Sequence, residues 1–363
     1  MIKFFRHIRK SLLMENKKSK PALPAGRYLK YAIGEIILVV IGILIALQIN
    51  IWNQEKNNEE KVIKILQQVQ KDLLNDLQEG QYFSDWWQRD DKMLTQFFKS
   101  TKPEQYFKDN FSEFSRIGLA TYRFTQNKQG YNRLNEQIDI VSSKYNDVLD
   151  KLSRLYNERS SFLLSNQIAF NNLVQEYRIY LHDNFDWMEN YRSNSAEWSD
   201  VKFNYFYTSK KHRRQLGKHR AFFDRYDSQV SAFKDQSLLC YLVIRDIIND
   251  TSEFPEIIKS YGLEYSQNNM EDFLGNYGSE SDSIVRNFME IKYNVLFWSK
   301  PNQRELFSEG LILREYGKDS LGFVMSNVFP MKFVRDSTNK VTGFIGYNIN
   351  DSDKSIKVIK LDE

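Results

Sequence analysis

The sequence predicts a mainly α-helical chain ending in an all-β module, with one transmembrane helix, an antiparallel helical bundle and a small antiparallel β-barrel or sandwich. Three observations predict it. Residues 31–52, YAIGEIILVVIGILIALQINIW, carry only three clearly polar side chains, Glu35, Gln48 and Asn50. From about residue 55 to 258, apolar residues recur at spacings of three and four, the helical period. Beyond about residue 270 the period falls to two, that of a half-buried strand.

The elements follow in order. Residues 1–30 hold nine Lys/Arg against the single acid Glu15, a charge of +8, so the remaining 333 residues carry −4 and the chain's net +4 belongs to its tail. A nucleic-acid-binding body would show the opposite balance, so no nucleic acid is expected as a partner. In MIKFFRHIRKSLLMEN, Phe5, Ile8 and Leu12 share one helical face, which suits either an interfacial helix among membrane lipids or an unstructured basic flank. Pro21, Pro24 and Gly26 then mark a linker.

Residues 31–52 are the transmembrane helix: at 1.5 Å per residue they reach roughly 33 Å, enough for a hydrocarbon core of about 30 Å. Lys/Arg collect on the cytoplasmic flank of such a helix. No basic excess follows Trp52, so the tail is expected in the cytoplasm and the rest across the inner membrane, in a bacterial periplasm. The long basic region and the lack of a small-x-small site favour an uncleaved signal anchor over a cleaved signal peptide. Gly34, Gly42 and Ala46 lie on one face as a small-residue stripe, which permits a homo-oligomer through the helix. Glu35, one turn inside, suits the positive end of the helix dipole.

Residues 53–265 are expected as a helical bundle. Val62, Leu66, Val69, Leu73 and Leu77 form a first stripe; Leu134, Ile138, Val141, Tyr145, Leu149, Leu152 and Tyr156 a second of six turns; and residues 161–183 and 221–249 two more. Residues 266–363 are expected as a β-barrel-like domain. Met289, Ile291, Tyr293, Val295 and Phe297 alternate as a strand, Pro301-Asn302 makes a turn, and Leu311–Glu315 and Leu321–Met325 are short runs. Met331–Arg335 and Val341–Tyr347 flank a hairpin turn, and Ser355–Leu361 closes the module.

Two resemblances attach to these residues. YAIGEIILVVIGILIALQINIWN behind a basic start resembles the hallmark of an uncharacterised single-pass membrane family common in Bacteroidota, the DUF6090-type proteins, and TYRFTQNKQGYNRLNEQIDIV resembles its extramembrane portion more loosely. That likeness implies an inner-membrane, mostly helical protein and brings no activity or site. The C-terminal part, with Leu274-Gly275-Asn276-Tyr277 and the hairpin from Phe333 to Phe344, is similar to lipocalin-like β-domains that follow β-lactamase-type serine hydrolases, without the domain that would carry hydrolase chemistry.

The motifs of chemistry are missing. No G-x-S-x-G, H-E-x-x-H, cysteine pair or phosphate-cradling glycine loop occurs, so no cofactor is expected. Ser337-x-x-Lys340 falls in a turn, and Cys240 in LLCYLVI reads as core. His212 and His219 share a helical spacing among six cations that would repel a metal. Those cations, Lys210, Lys211, Arg213, Arg214, Lys218 and Arg220, suit an anionic surface or a solvated loop. Trp86-Trp87 and residues 203–207 read as aromatic core rather than a ligand groove. The expectation is a non-catalytic, membrane-anchored interaction or sensing protein with an unknown protein partner. The alternatives are a barrel that binds a lipid-like ligand and an enzyme whose carboxylates or histidines converge only in three dimensions.

Overall fold

The computed structural model describes residues 24–188, 196–278, 284–300, 310–324, 330–348 and 351–361. The expected interfacial helix at residues 1–16 and the turn at Pro301-Asn302 lie outside the described residues. The chain divides into two compact units, Met1–Lys61 and Val62–Glu363.

Helix α1, Pro24–Lys99, supplies all the described structure of the first unit and opens the second. Its start at Pro24 shortens the expected linker, because proline's fixed φ and missing N–H suit a first helical turn. Within it lies one stretch apolar and long enough to cross a membrane, with none of it buried.

In the second unit α1 buries Val62, Leu66, Val69, Leu73 and Leu77 completely, as their spacing predicts. Short helices α2 (Pro103–Asp109) and α3 (Phe111–Arg116) follow, then an extended segment, 120–128. Helix α4 is Gln129–Glu136, and α5, Asn146–Ser153, runs through a π-helical turn at Arg154–Arg159 into α6, Ser160–Asn184. Helices α7 (Ala196–Thr208), α8 (Lys210–Ile247) and α9 (Glu256–Lys259) complete the helical part. The expected six-turn stripe from Leu134 to Tyr156 is broken: two 3₁₀ turns, Ile138–Ile140 and Ser143–Tyr145, interrupt it, and Ile138 is half exposed. Gly130 explains how α4 starts so close to α1, since a Cβ there would lie 2.7 Å from the Val69 nitrogen.

Eight antiparallel strands close into a barrel in chain order: β1 Gly275–Gly278, β2 Val285–Lys292, β3 Val295–Ser299, β4 Leu311–Gly317, β5 Ser320–Phe323, β6 Met331–Arg335, β7 Val341–Asn348 and β8 Asp351–Leu361. The alternating run from Met289 to Phe297 is two strands, not one. Tyr293 and Asn294 both take positive φ, 52° and 60°, and make a two-residue hairpin turn. Tyrosine is a poor residue for that backbone, which is why the sequence hides the turn.

Rings on non-neighbouring strands meet through the barrel interior. Tyr277 on β1 lies 6.4 Å from Phe333 on β6, and Trp298 on β3 lies 5.4 Å from Phe344 on β7. Phe273, from the 3₁₀ turn before β1, packs 4.6 Å from Phe333. Every residue of β3 is buried, and buried residues of the barrel and the bundle belong to one hydrophobic core. Tyr265 joins them. Its hydroxyl accepts from the Leu296 N–H and donates to the Leu313 carbonyl, bridging β3 and β4 one step beyond their last paired residues, Phe297 and Ile312. A second, aromatic-rich core gathers Phe97, Phe107, Phe114, Trp187 and Phe206.

Candidate functional site

An extended segment inside a helical bundle creates a local problem: its main-chain N–H groups have no helix or sheet to bond. Along 121–125, side chains alternate, Tyr122 and Phe124 buried and Thr121, Arg123 and Thr125 exposed. Buried acids on α1 supply acceptors. Asp76 Oδ1 takes both the Asn127 N–H at 2.7 Å and Asn127 Nδ2 at 2.9 Å, and the Tyr156 hydroxyl reaches Oδ2 at 3.4 Å. Asp72 takes the Gly130 N–H at 2.7 Å and Gln68 Nε2 at 2.9 Å. Asp90 takes Arg116 Nη2 at 2.7 Å and the Tyr122 hydroxyl at 2.9 Å. From α8, the Tyr226 hydroxyl accepts the Phe124 N–H at 2.9 Å and donates to Gln167.

The π-helical turn belongs to the same network. Two of its carbonyls also accept from side chains. Lys128 Nζ donates to the Tyr156 carbonyl at 2.8 Å, and Ser160 Oγ to the Leu155 carbonyl at 3.1 Å and to Gln126 at 2.7 Å. Asp76 is fully buried, and burial pushes its pKa up to about 7; the two Asn127 hydrogen bonds oppose the shift and the Asp72 charge adds to it. Beside this network an open groove of about 540 Å³ is lined by Asn75, Gln78 and Glu79 of α1 and by Thr125 and Asn127 of the segment.

The sequence-flagged residues fall elsewhere. The six cations are not in a loop: they occupy the first three turns of α8, the correction being that Ser209 caps the helix by accepting the His212 N–H at 3.3 Å. Lys211 stands 3.6 Å over the Tyr180 ring, Arg213 5.8 Å over Phe97, and Arg220 pairs with Asp91 at 2.6 Å and Thr95 at 2.9 Å. Lys210, Arg214 and Lys218 form an exposed row at four-residue spacing. The opposite face of the same turns buries His212, Gln215, Leu216 and His219. His212 Nδ1 lies 2.9 Å from the Tyr177 hydroxyl, while its Nε2 is buried with no hydrogen-bond partner among the described residues, and the buried His219 ring lies by the Ala120 backbone. Burial drives both imidazoles down to about 3. Among the described residues no three His, Cys, Asp or Glu side chains gather as a metal site.

A Cβ added to Gly34 or Gly42 would meet nothing within 4 Å, and Ala46 is exposed. Cys240 is buried, Trp87 and Phe206 are core residues, and Ser337 and Lys340 sit in a turn organised by Asp336, whose carboxylate accepts the Thr338 and Lys340 N–H groups. Sequence reasoning missed Asp72, Asp76 and Asp90. The signal that could have found them is their place on the buried stripe of α1: Asp72 and Asp76 each precede a core leucine, Leu73 and Leu77.

Residues 35–94 match the model of DUF6090, a family of unknown function. The matched stretch contains most of the apolar part of α1 together with Asp72, Asp76 and Asp90. No curated protein and no solved structure matches the chain.

Proposed function

We propose that this chain is a non-catalytic, single-pass protein of the bacterial inner membrane that engages a protein partner. Residues 31–52 form the anchor, with the basic tail on the cytoplasmic side and the bundle and barrel in the periplasm. The single observation that carries the non-catalytic reading is what the buried acids do: Asp72, Asp76 and Asp90 are each occupied in holding main-chain or side-chain donors of the 116–130 region. A catalytic carboxylate needs reach to a reacting atom. The barrel is the weaker candidate for a ligand, because Tyr277, Trp298, Phe333 and Phe344 fill its described interior with one another.

Two further contacts belong to this reading. Gly34, Gly42 and Ala46 leave room for a second copy of the helix at close approach. The Lys210, Arg214 and Lys218 row offers an anionic surface a set of cations on one helix face. The testing experiment pairs topology with cross-linking. Alkaline phosphatase fused after Glu363 should be active and a cytoplasm-only fluorescent reporter dark, and amine cross-linking of native membranes should yield a discrete hetero-adduct. The reverse reporter pattern overturns the orientation; a chain that cross-links to nothing overturns the interaction role.

A further inference from the structure

The groove beside Asp76 has a wall that the acid network leaves open. In an extended chain, alternate residues direct their N–H and C=O to the same edge. The Phe124 N–H goes to Tyr226 on α8, and the Asn127 N–H goes to Asp76 on α1. The edge made by Arg123, Thr125 and Asn127 therefore faces α1, where the groove lies. On that edge the Asn127 N–H is engaged, and the N–H and carbonyl groups of Arg123 and Thr125 have no protein partner among the described residues. An unpaired extended edge is a template for another chain.

Across the groove stand Asn75, Gln78 and Glu79, at the three- and four-residue spacing of one helix face, all exposed. A carboxamide offers one carbonyl acceptor and an NH₂ donor, the same pair that a peptide unit presents. The groove's volume is in the ordinary range for ligand sites, but such sites are mostly apolar and all five lining residues here are polar. That composition suits a polar ligand better than an apolar small molecule, and the five include no aromatic ring on which a sugar chain would stack. An extended polypeptide has what both walls require, donors and acceptors alternating along its two edges.

We propose that this groove docks an extended polypeptide segment of a partner protein, pairing its main chain with the Arg123–Asn127 edge on one side and with Asn75 and Gln78 on the other. The proposal deepens the interaction role and rests on it. Glu79, exposed on the groove wall, selects a Lys or Arg in the bound segment by charge.

The test uses the full chain in lipid nanodiscs and a phage-displayed library of random decapeptides as the probe. Peptides enriched over empty nanodiscs should carry Lys or Arg, and their binding should weaken about tenfold in Asn75→Ala/Gln78→Ala, whose side chains are exposed and whose loss leaves the fold intact. N-methylation of the peptide main chain should abolish binding, and Glu79→Gln should relax the basic preference. No enriched peptide, peptides that bind the double variant equally, or a soluble oligosaccharide that binds the groove instead would each overturn the proposal. A native partner that cross-links equally to the wild type and the double variant overturns the groove while the interaction role stands; loss of every cross-link from the wild type itself overturns the role.

Discussion

Helix α1 carries two opposite arrangements in one element. Between Ile33 and Trp52 its large apolar side chains stand exposed, Ile36 by 62% and Ile43 by 61%. Beyond Val62 it does the reverse and buries acids, Asp76 and Asp90 completely. Exposed apolar surface and buried polar groups are the two informative departures from ordinary burial. The first points to a solvent other than water. The second points to donors elsewhere in the chain that need an acceptor, here the extended segment 120–128 and Arg116.

The comparison breaks most visibly if charge is placed in the first region. Ile41→Arg with Ile45→Arg should raise the free energy of membrane insertion by about 5–7 kcal/mol, at roughly 2.5–3.5 for each arginine at a helix centre. The expected outcome is release of the chain by alkaline carbonate extraction, with the melting transition of the body unchanged. Retention in the pellet would separate this stretch from membrane anchoring.

In the second region, removing a buried acid should hurt and removing a half-exposed one beside it should not. Asp90→Ala leaves Arg116 and the Tyr122 hydroxyl without their acceptor, and breaking such a buried pair costs about 3–5 kcal/mol. Asp91→Ala, one residue on, removes a half-exposed pair with Arg220 and should cost about 1 kcal/mol or less. Thermal melts of the detergent-solubilised chain should show the difference as a large and a small shift. Equal shifts would mean that burial does not distinguish the two aspartates.

These contrasts also explain what could be read from the sequence. The apolar stretch and the Val62–Leu77 stripe were legible because each is a local periodicity, as were helix α6 and the β6–β7 hairpin around Asp336. The acids were not, because periodicity assigns an Asp to solvent unless its partner is known, and the partners lie 26 to 58 residues away. The start of α8 was hidden by composition: Lys210 to Arg214 load cations on the positive end of a helix, against the usual preference, so the cluster reads as a loop. The Tyr293-Asn294 turn was hidden by a tyrosine in a backbone region that favours glycine and asparagine. The barrel's eight strands exceed the six or so visible as alternating runs because β1 has only four residues and the run from Met289 to Phe297 is two strands.

Where the bundle meets the barrel, one hydroxyl replaces a ladder step. Tyr265→Phe removes it and leaves the Leu296 N–H and the Leu313 carbonyl buried without their bridge, at a cost of about 1–3 kcal/mol. Hydrogen exchange should quicken at Leu296 while β6–β7 amides stay protected. Unchanged exchange at Leu296 would show that β3 and β4 pair directly once the ring is altered.

The smallest effect is a slope, and it sets the buried acid against the buried imidazoles. Asp76 has a folded pKa of about 7 against 3.8 unfolded, so it binds its proton more tightly when folded. Its contribution to stability is complete below about 3.8 and is lost as pH rises to about 7. His212 and His219 have folded values of about 3 against 6.5 unfolded, so their contribution is present above about 6.5 and is lost as pH falls toward 3. The aspartate and histidine terms oppose each other between pH 4 and 6.5, and Asp235, likewise pushed up to about 7, adds to the aspartate side. Asp76→Asn removes its own term while still accepting the Asn127 N–H through its amide oxygen. The stability of the variant should then rise with pH relative to the wild type by up to about 1.4 kcal/mol per pH unit, the value for one proton. Parallel profiles for wild type and variant would show that Asp76 does not take up its proton on folding, and that the segment is held by a charged carboxylate throughout.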